Sequence, residues 1–133
     1  MGEVYLFNVA DPEKRTAIRL TCLRLGIPCR EVPPELHGRR IEELLTGTAE
    51  CGEADKKETF REEMMLMHAL TRETFQELLD TLRQNGQTVR LKAVVTDFNR
   101  KWTPVRLCRE LSAEDAAMRS RGQQIHRHPK KKK

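Results

Sequence analysis

The chain has 133 residues, of which 34% are charged and 38% hydrophobic, with a formal charge of +5. That length suits one domain with a real core, and no run approaches the ~20 apolar residues that a membrane span needs. The basicity is local: residues 113–133 hold seven Lys/Arg against Glu114 and Asp115, so residues 1–112 are net neutral, which argues against a broadly cationic nucleic-acid platform on the folded surface.

The opening Met1-Gly2-Glu3-Val4-Tyr5 lacks the basic and apolar regions of a signal peptide, and Leu6 breaks the myristoylation pattern at Gly2. The cysteines, Cys22, Cys29, Cys51 and Cys108, show no close pairing in sequence. Reduced thiols and a cytoplasmic location are therefore expected.

Val4 to Val9 reads as a first strand. Asp11 caps a helix with Pro12 at its first position, running to about Leu25, and Gly26 stops it. Ala17, Ile18, Thr21, Cys22 and Leu25 share its apolar face. Ile27 to Val32 is a weaker strand interrupted by Pro28 and closed by Pro33-Pro34. Arg39 to Leu45 predicts a short helix with Ile41, Leu44 and Leu45 inward. Thr46 to Lys57 is a polar loop containing glycine.

Glu63 to Leu70, with Met64, Met65, Leu66 and Met67, is apolar on both faces, as a central strand should be. Thr71 and Glu73 open a helix with Phe75, Leu78, Leu79 and Leu82 on one face, ended by Gly86. Leu91 to Val95 predicts the last strand. The stretch from Thr96 to Trp102 is a polar loop. Thr103 and Pro104 then start a helix carrying Val105, Leu107, Cys108 and Leu111. Residues 1–112 are expected to form the domain, and residues 113–133 a helix extension with a disordered basic tail after about Ser120.

A gapless shift of 60 overlays Leu6 on Leu66, Asp11 on Thr71, Glu13 on Glu73, Thr21 on Thr81 and Gly26 on Gly86. Each half reads as strand, capped helix, glycine stop, strand. The expectation is an α/β three-layer sandwich built from two similar βαβ units around a four-stranded, mostly parallel sheet of order 2-1-3-4. A crossover helix between strands two and three would make that sheet parallel. The alternative is a ferredoxin-like α+β sheet with an insertion at residues 33–61.

Leu91-Lys92-Ala93-Val94, Thr96, Asn99, Trp102-Thr103 and Leu107, preceded by Met64 to Leu70 and Thr71 to Gly86, resemble a small bacterial domain-of-unknown-function family of Firmicutes and relatives. The resemblance covers roughly residues 63–112. It implies a compact cytosolic domain and brings no chemistry with it. The basic tail departs from the family's pattern.

In a parallel sheet Asn8 and His68, equivalent at shift 60, stand side by side at the carboxyl edge. Thr96, Asn99 and Arg100 lie at that edge too, with the helix N-termini at Pro12 and Arg72. Ligands of open α/β sheets bind at such edges, and helix N-termini favour anions. Asn8, His68, Lys92, Thr96, Asn99 and Arg100 are therefore the candidate ligand residues. Against this, Asn8 and His68 could simply terminate strands, and Lys92 could guard an edge strand. Trp102 is expected to pack rather than stack on a ligand, with Asn99 holding the turn and Arg100 left to meet a partner.

Cys22 and Cys108 fall on apolar helix faces and read as inert thiols, while acidic Glu50 and Glu53 raise Cys51. There is no CxxC or HExxH, and His126-Arg127-His128 would bind metal only weakly. Gly47 to Gly52 has the glycine spacing of a phosphate loop but continues with Glu53 and Ala54, so that reading fails. No cofactor is expected. The favoured reading is a non-enzymatic binding or regulatory domain for a small anion or a protein partner. The alternatives are an enzyme using His68 as acid/base with Lys92 or Arg100 stabilising charge, and a nucleic-acid accessory protein. In the last, the Lys130 to Lys133 tail holds polyanions weakly.

Overall fold

The computed structural model describes residues 2–47 and 59–127, with side chains described to Met118. Cys51, most of the polar loop and the Lys130 to Lys133 tail lie outside the described residues. The elements are β1 (Glu3–Phe7), α1 (Pro12–Arg24), β2 (Cys29–Glu31), α2 (Ile41–Thr46), β3 (Met64–His68), α3 (Arg72–Gln84), β4 (Leu91–Val94) and α4 (Pro104–Arg127). Among the described residues, the single-turn 3₁₀ segments Pro34–Leu36 and Asn99–Lys101 fall where loops were expected.

The sheet is open with order β2-β1-β3-β4, and the ferredoxin-like alternative is not what forms. Alternating side chains of β1 and β3 feed two cores. Val4, Leu6, Met65 and Met67 meet Ile18 and Cys22 of α1 and Leu78 and Leu82 of α3. Tyr5, Phe7, Met64 and Leu66 meet Ile41 of α2 and Leu107 and Cys108 of α4. Both faces are covered, giving three layers. The consecutive apolar residues of β3 are explained by this double burial.

The two βαβ units match in detail. α1 and α3 are 13 residues each, capped by the side chains of Asp11 and Thr71. After each helix the chain turns back identically: Ile27 N–H donates to the Cys22 carbonyl and Gln87 N–H to the Leu82 carbonyl, both at 2.8 Å. Gly26 and Gly86 sit at φ 73° and 70°, the left-handed conformation that glycine adopts without strain.

One expectation fails at the centre. β1 pairs with β2, and β3 with β4, in parallel, but β1 and β3 are antiparallel. The register shows why. Tyr5 pairs with Leu66 and Leu6 with Met65, which are each other's images under the shift of 60. Two like units have met about an approximate two-fold axis, the arrangement in which like edges close on each other. The chain between them does not recross the sheet. α2 has six residues and rises only about 9 Å. The chain then re-enters at the edge it left, with Met64 beside Phe7.

Candidate functional site

The antiparallel seam divides the site expected from the sequence. The carboxyl ends of β1 and β2 lie at one edge of the sheet, and those of β3 and β4 at the other. Asn8 and the start of α1 belong to the first edge. His68, Thr96, Asn99, Arg100 and the start of α3 belong to the second. Asn8 and His68 are therefore not neighbours: His68 lies opposite Glu3, the first residue of β1.

At the second edge the polar side chains are engaged in holding the fold. Asn99 is 7% exposed. Its Oδ1 accepts from Thr96 N–H at 2.8 Å, its Nδ2 donates to the Val94 carbonyl at 3.0 Å, and its own N–H donates to Thr96 Oγ1 at 3.1 Å. Asn99→Ala should cost about 1–3 kcal/mol, because the two hydrogen bonds of this buried side chain, from Thr96 N–H and to the Val94 carbonyl, are lost. A urea melt of the variant measures this, and an unchanged midpoint would show that the turn holds without it.

Arg100 stands 3.9 Å from Glu42 of α2 and 4.0 Å from Asp97, ion-pair separations too long for hydrogen bonds. It leans on the fold rather than standing free for a partner. The guanidinium of Arg106 lies 4.3 Å from the centre of the Trp102 ring, a cation–π contact that takes up one ring face. The Trp102 carbonyl accepts from Ile41 N–H at 2.8 Å, fastening α2 to this loop. Lys92 lies on the edge strand β4, beside Met65 on the sheet face opposite His68, and donates to the Val89 carbonyl at 2.7 Å. That is the edge-guarding arrangement.

His68 Nδ1 lies 3.0 Å from a Glu3 carboxylate oxygen. Burial first, then the nearby Glu3 charge, push the Tyr5 phenol up to about 12. Burial also lifts the Cys108 thiol to about 11, with Glu62 adding to it, so Cys108 is inert as the sequence implies. Among the described residues no group of three or more His, Cys, Asp or Glu is placed to hold a metal ion.

The first edge opens into a cleft of about 680 Å³. Asn8, Val9 and Ala10 form its base after β1, Glu31 to Pro34 one wall, Thr59 to Arg61 the other, and Arg15 of α1 its back. Asn8 sits at φ 63°, a left-handed conformation that asparagine tolerates better than most residues. Its amide donates to the carbonyls of Phe60 at 2.8 Å and Glu62 at 3.0 Å, pinning the returning chain across the cleft. Arg15 donates to the Val9 carbonyl at 3.2 Å and lies 3.6 Å from Glu31, which also accepts from Arg19 at 3.2 Å. Among the lining residues two arginines face one carboxylate. Of the residues singled out by sequence, only Asn8 belongs here. Arg15 and Arg61 lie in a helix and a polar stretch where nothing in the sequence marks them.

Below the cleft lies a buried aromatic cluster. The centroid of His37 is 4.5 Å from that of Phe60 and 5.7 Å from that of Phe7. His37 is wholly buried, and neither ring nitrogen makes a hydrogen bond.

No helix among the described residues is long and apolar enough to cross a membrane. No curated protein and no solved structure matches the chain. Residues 63–118, comprising β3, α3, β4 and the first part of α4, match the model of a family described as a domain of unknown function (DUF3783), in keeping with the resemblance carried by Leu91 to Leu107.

Proposed function

We propose that the chain is a non-enzymatic binding or regulatory domain of the bacterial cytosol, and that it takes a small anion in the cleft at the carboxyl ends of β1 and β2. The observation that carries this reading is the cleft itself, about 680 Å³ with Arg15 and Arg61 against Glu31. It stands beside the start of α1, where N–H groups and the positive end of the helix dipole add to the pull on an anion. Asn8 holds both the base and one wall, so the site is built by the fold. The second edge supports this reading less, since Thr96 and Asn99 spend their polar groups on backbone.

An amide-resolved NMR titration with inorganic phosphate and with citrate tests it. Shifts should concentrate at Asn8 to Ala10, Arg15 and Arg61. The Arg15→Ala, Arg61→Ala double variant should bind at least tenfold more weakly, about 1.4 kcal/mol. Shifts confined to Thr96 to Arg100 or to the Lys130 to Lys133 tail would move the site there. The absence of any shift would remove it.

A second reading, an enzyme with His68 as acid/base, is favoured by one observation: the Glu3 carboxylate at 3.0 Å engages Nδ1 and would orient the ring with Nε2 as the working nitrogen. Lys92, on the opposite sheet face, does not assist it.

A further inference from the structure

An open sheet has two edges, and here they differ. At β4 the edge is closed: Lys92 guards it, and the outward carbonyl of Val94 accepts from Asn99 Nδ2 at 3.0 Å. At β2 it is open. Val4 N–H bonds the Pro28 carbonyl and Val32 N–H the Leu6 carbonyl, both at 2.9 Å, so Pro28, Arg30 and Val32 turn their backbone groups to β1. The N–H and C=O groups of Cys29 and Glu31 therefore point away from the sheet, and nothing among the described residues bonds them. Pro28 does not blunt this edge, because its missing N–H is on the β1 side. Pro33, the next outward residue, has no N–H to offer and ends it.

Beside this edge a groove of about 370 Å³ runs between α1 and β2, lined by Leu20, Leu23, Ile27 and Pro28 and reaching Cys29. Leu20 and Leu23 are 48% and 73% exposed, so α1 leaves apolar surface to water at the groove. The charge there is positive. Glu31 is shared by Arg15 at 3.6 Å and Arg19 at 3.2 Å on the α1 face. Arg30 lies on the other face, opposite Tyr5, and is exposed without an ion pair among the described residues. Three arginines thus surround one carboxylate. A second copy of the chain fits this edge poorly. Two β2 edges joined about a two-fold axis at Arg30 would set Arg30 against Arg30, a like-charge cross-strand pair.

We propose that the β2 edge takes an extended acidic peptide segment of a partner protein as an added antiparallel strand. Antiparallel addition lets Cys29 and Glu31 each exchange both backbone bonds with one peptide residue, and it is the more stable sense of pairing. The register then assigns the side chains. The peptide residue opposite Cys29 lies on the α1 face, where an apolar side chain enters the groove at Leu20 and Leu23. The residue before it lies opposite Arg30 on the other face, where Glu or Asp makes a cross-strand ion pair. The residue before that lies opposite Glu31, whose charge is already matched, and is polar and uncharged. From amino to carboxyl end the recognised run is polar, acidic, apolar. This surface lies along the side of the sheet, whereas the anion cleft opens at the strand ends.

The test titrates the full-length, isotope-labelled protein with the capped peptide Thr-Thr-Glu-Leu-Thr-Thr up to millimolar concentration, followed by NMR. Saturable shifts are expected at Leu20, Leu23 and Cys29 to Glu31, with slowed hydrogen exchange of the Cys29 and Glu31 amides. Two altered peptides leave the protein itself unchanged. Lys in place of Glu sets a like charge against Arg30, and N-methylation of the Leu removes its bond to the Cys29 carbonyl. Each should bind more weakly by about tenfold or more. Arg30 is exposed, and Arg30→Glu should reverse the choice between the Glu and Lys peptides. The proposal is overturned if no peptide binds, if the Lys or N-methyl peptide binds equally well, or if Arg30→Glu still prefers Glu. Shifts confined to Asn8 to Ala10 and Arg61, or to the Lys130 to Lys133 tail, overturn it too. Shifts of the Cys29 and Glu31 amides that follow protein concentration without peptide would assign the edge to a second copy and equally overturn it.

Discussion

Phe7→Ala is expected to lower stability by about 3–5 kcal/mol, the cost of emptying a fully buried aromatic site. In a domain of this size that is a fall in Tm on the order of 10 °C. Phe7 ends β1 with no exposed surface. Its ring lies 5.7 Å from His37 and 5.8 Å from Phe60. Phe60 in turn lines the cleft and receives Asn8. Removing Phe7 should therefore also loosen the wall at Thr59 to Arg61. Calorimetry measures the first effect, and amide hydrogen exchange at Phe60 and Arg61 the second. If Tm falls by less than about 3 °C, roughly 1 kcal/mol, the ring is not packed as described.

The second large effect is on pH dependence. Burial is the main cause that lowers His37 from its ordinary 6.5; the Val32 backbone and the Glu35 charge nearby favour the imidazolium and only partly offset it. Val32 does not reach hydrogen-bond geometry with either ring nitrogen. The sign follows from linkage. Below 6.5 the unfolded chain takes up a proton at His37 that the folded chain resists. Stability is therefore full above that pH, declines as pH falls through it, and levels off only below the depressed folded value. His37→Phe removes both unpartnered nitrogens and keeps an aromatic ring. Urea midpoints of wild type and variant, followed from about pH 8 to about pH 5, should diverge, with wild type losing more. Parallel curves would mean that His37 reaches a partner on protonation.

The elements were legible in the sequence because their signals are local. Asp11-Pro12, Thr71 and Thr103-Pro104 cap helices whose partners lie within a few residues, and Gly26 and Gly86 sit where positive φ is required. The strand order also followed, from the two-fold repetition of strand, helix, glycine and strand. What failed was the sense of one pairing. Nothing local in Glu3–Phe7 or Met64–His68 distinguishes parallel from antiparallel, since both strands are apolar on both faces. The repeat held a clue, because two like units joined edge to edge close about a two-fold axis.

That single reversal separated Asn8 from His68, Thr96, Asn99 and Arg100. Of the six residues chosen, Asn8 alone stayed with a cleft, while Asn99 and Thr96 turned out to hold a turn and Lys92 an edge. Arg15, Arg61 and His37 were illegible because their roles arise from contacts across the sheet and across residues distant in sequence.

The antiparallel seam between β1 and β3 decides which residues share an edge, and it can be read directly from NOEs in a uniformly labelled sample. Antiparallel pairing brings opposite Hα atoms together at every second pair. Strong Hα–Hα cross-peaks are therefore expected at alternate positions of the register Glu3–His68, Val4–Met67, Tyr5–Leu66, Leu6–Met65 and Phe7–Met64. A parallel seam would instead align Leu6 with Leu66 and Asn8 with His68. It would give no such Hα–Hα series, and contacts between those residues would return His68 to the edge of Asn8 and contradict the account.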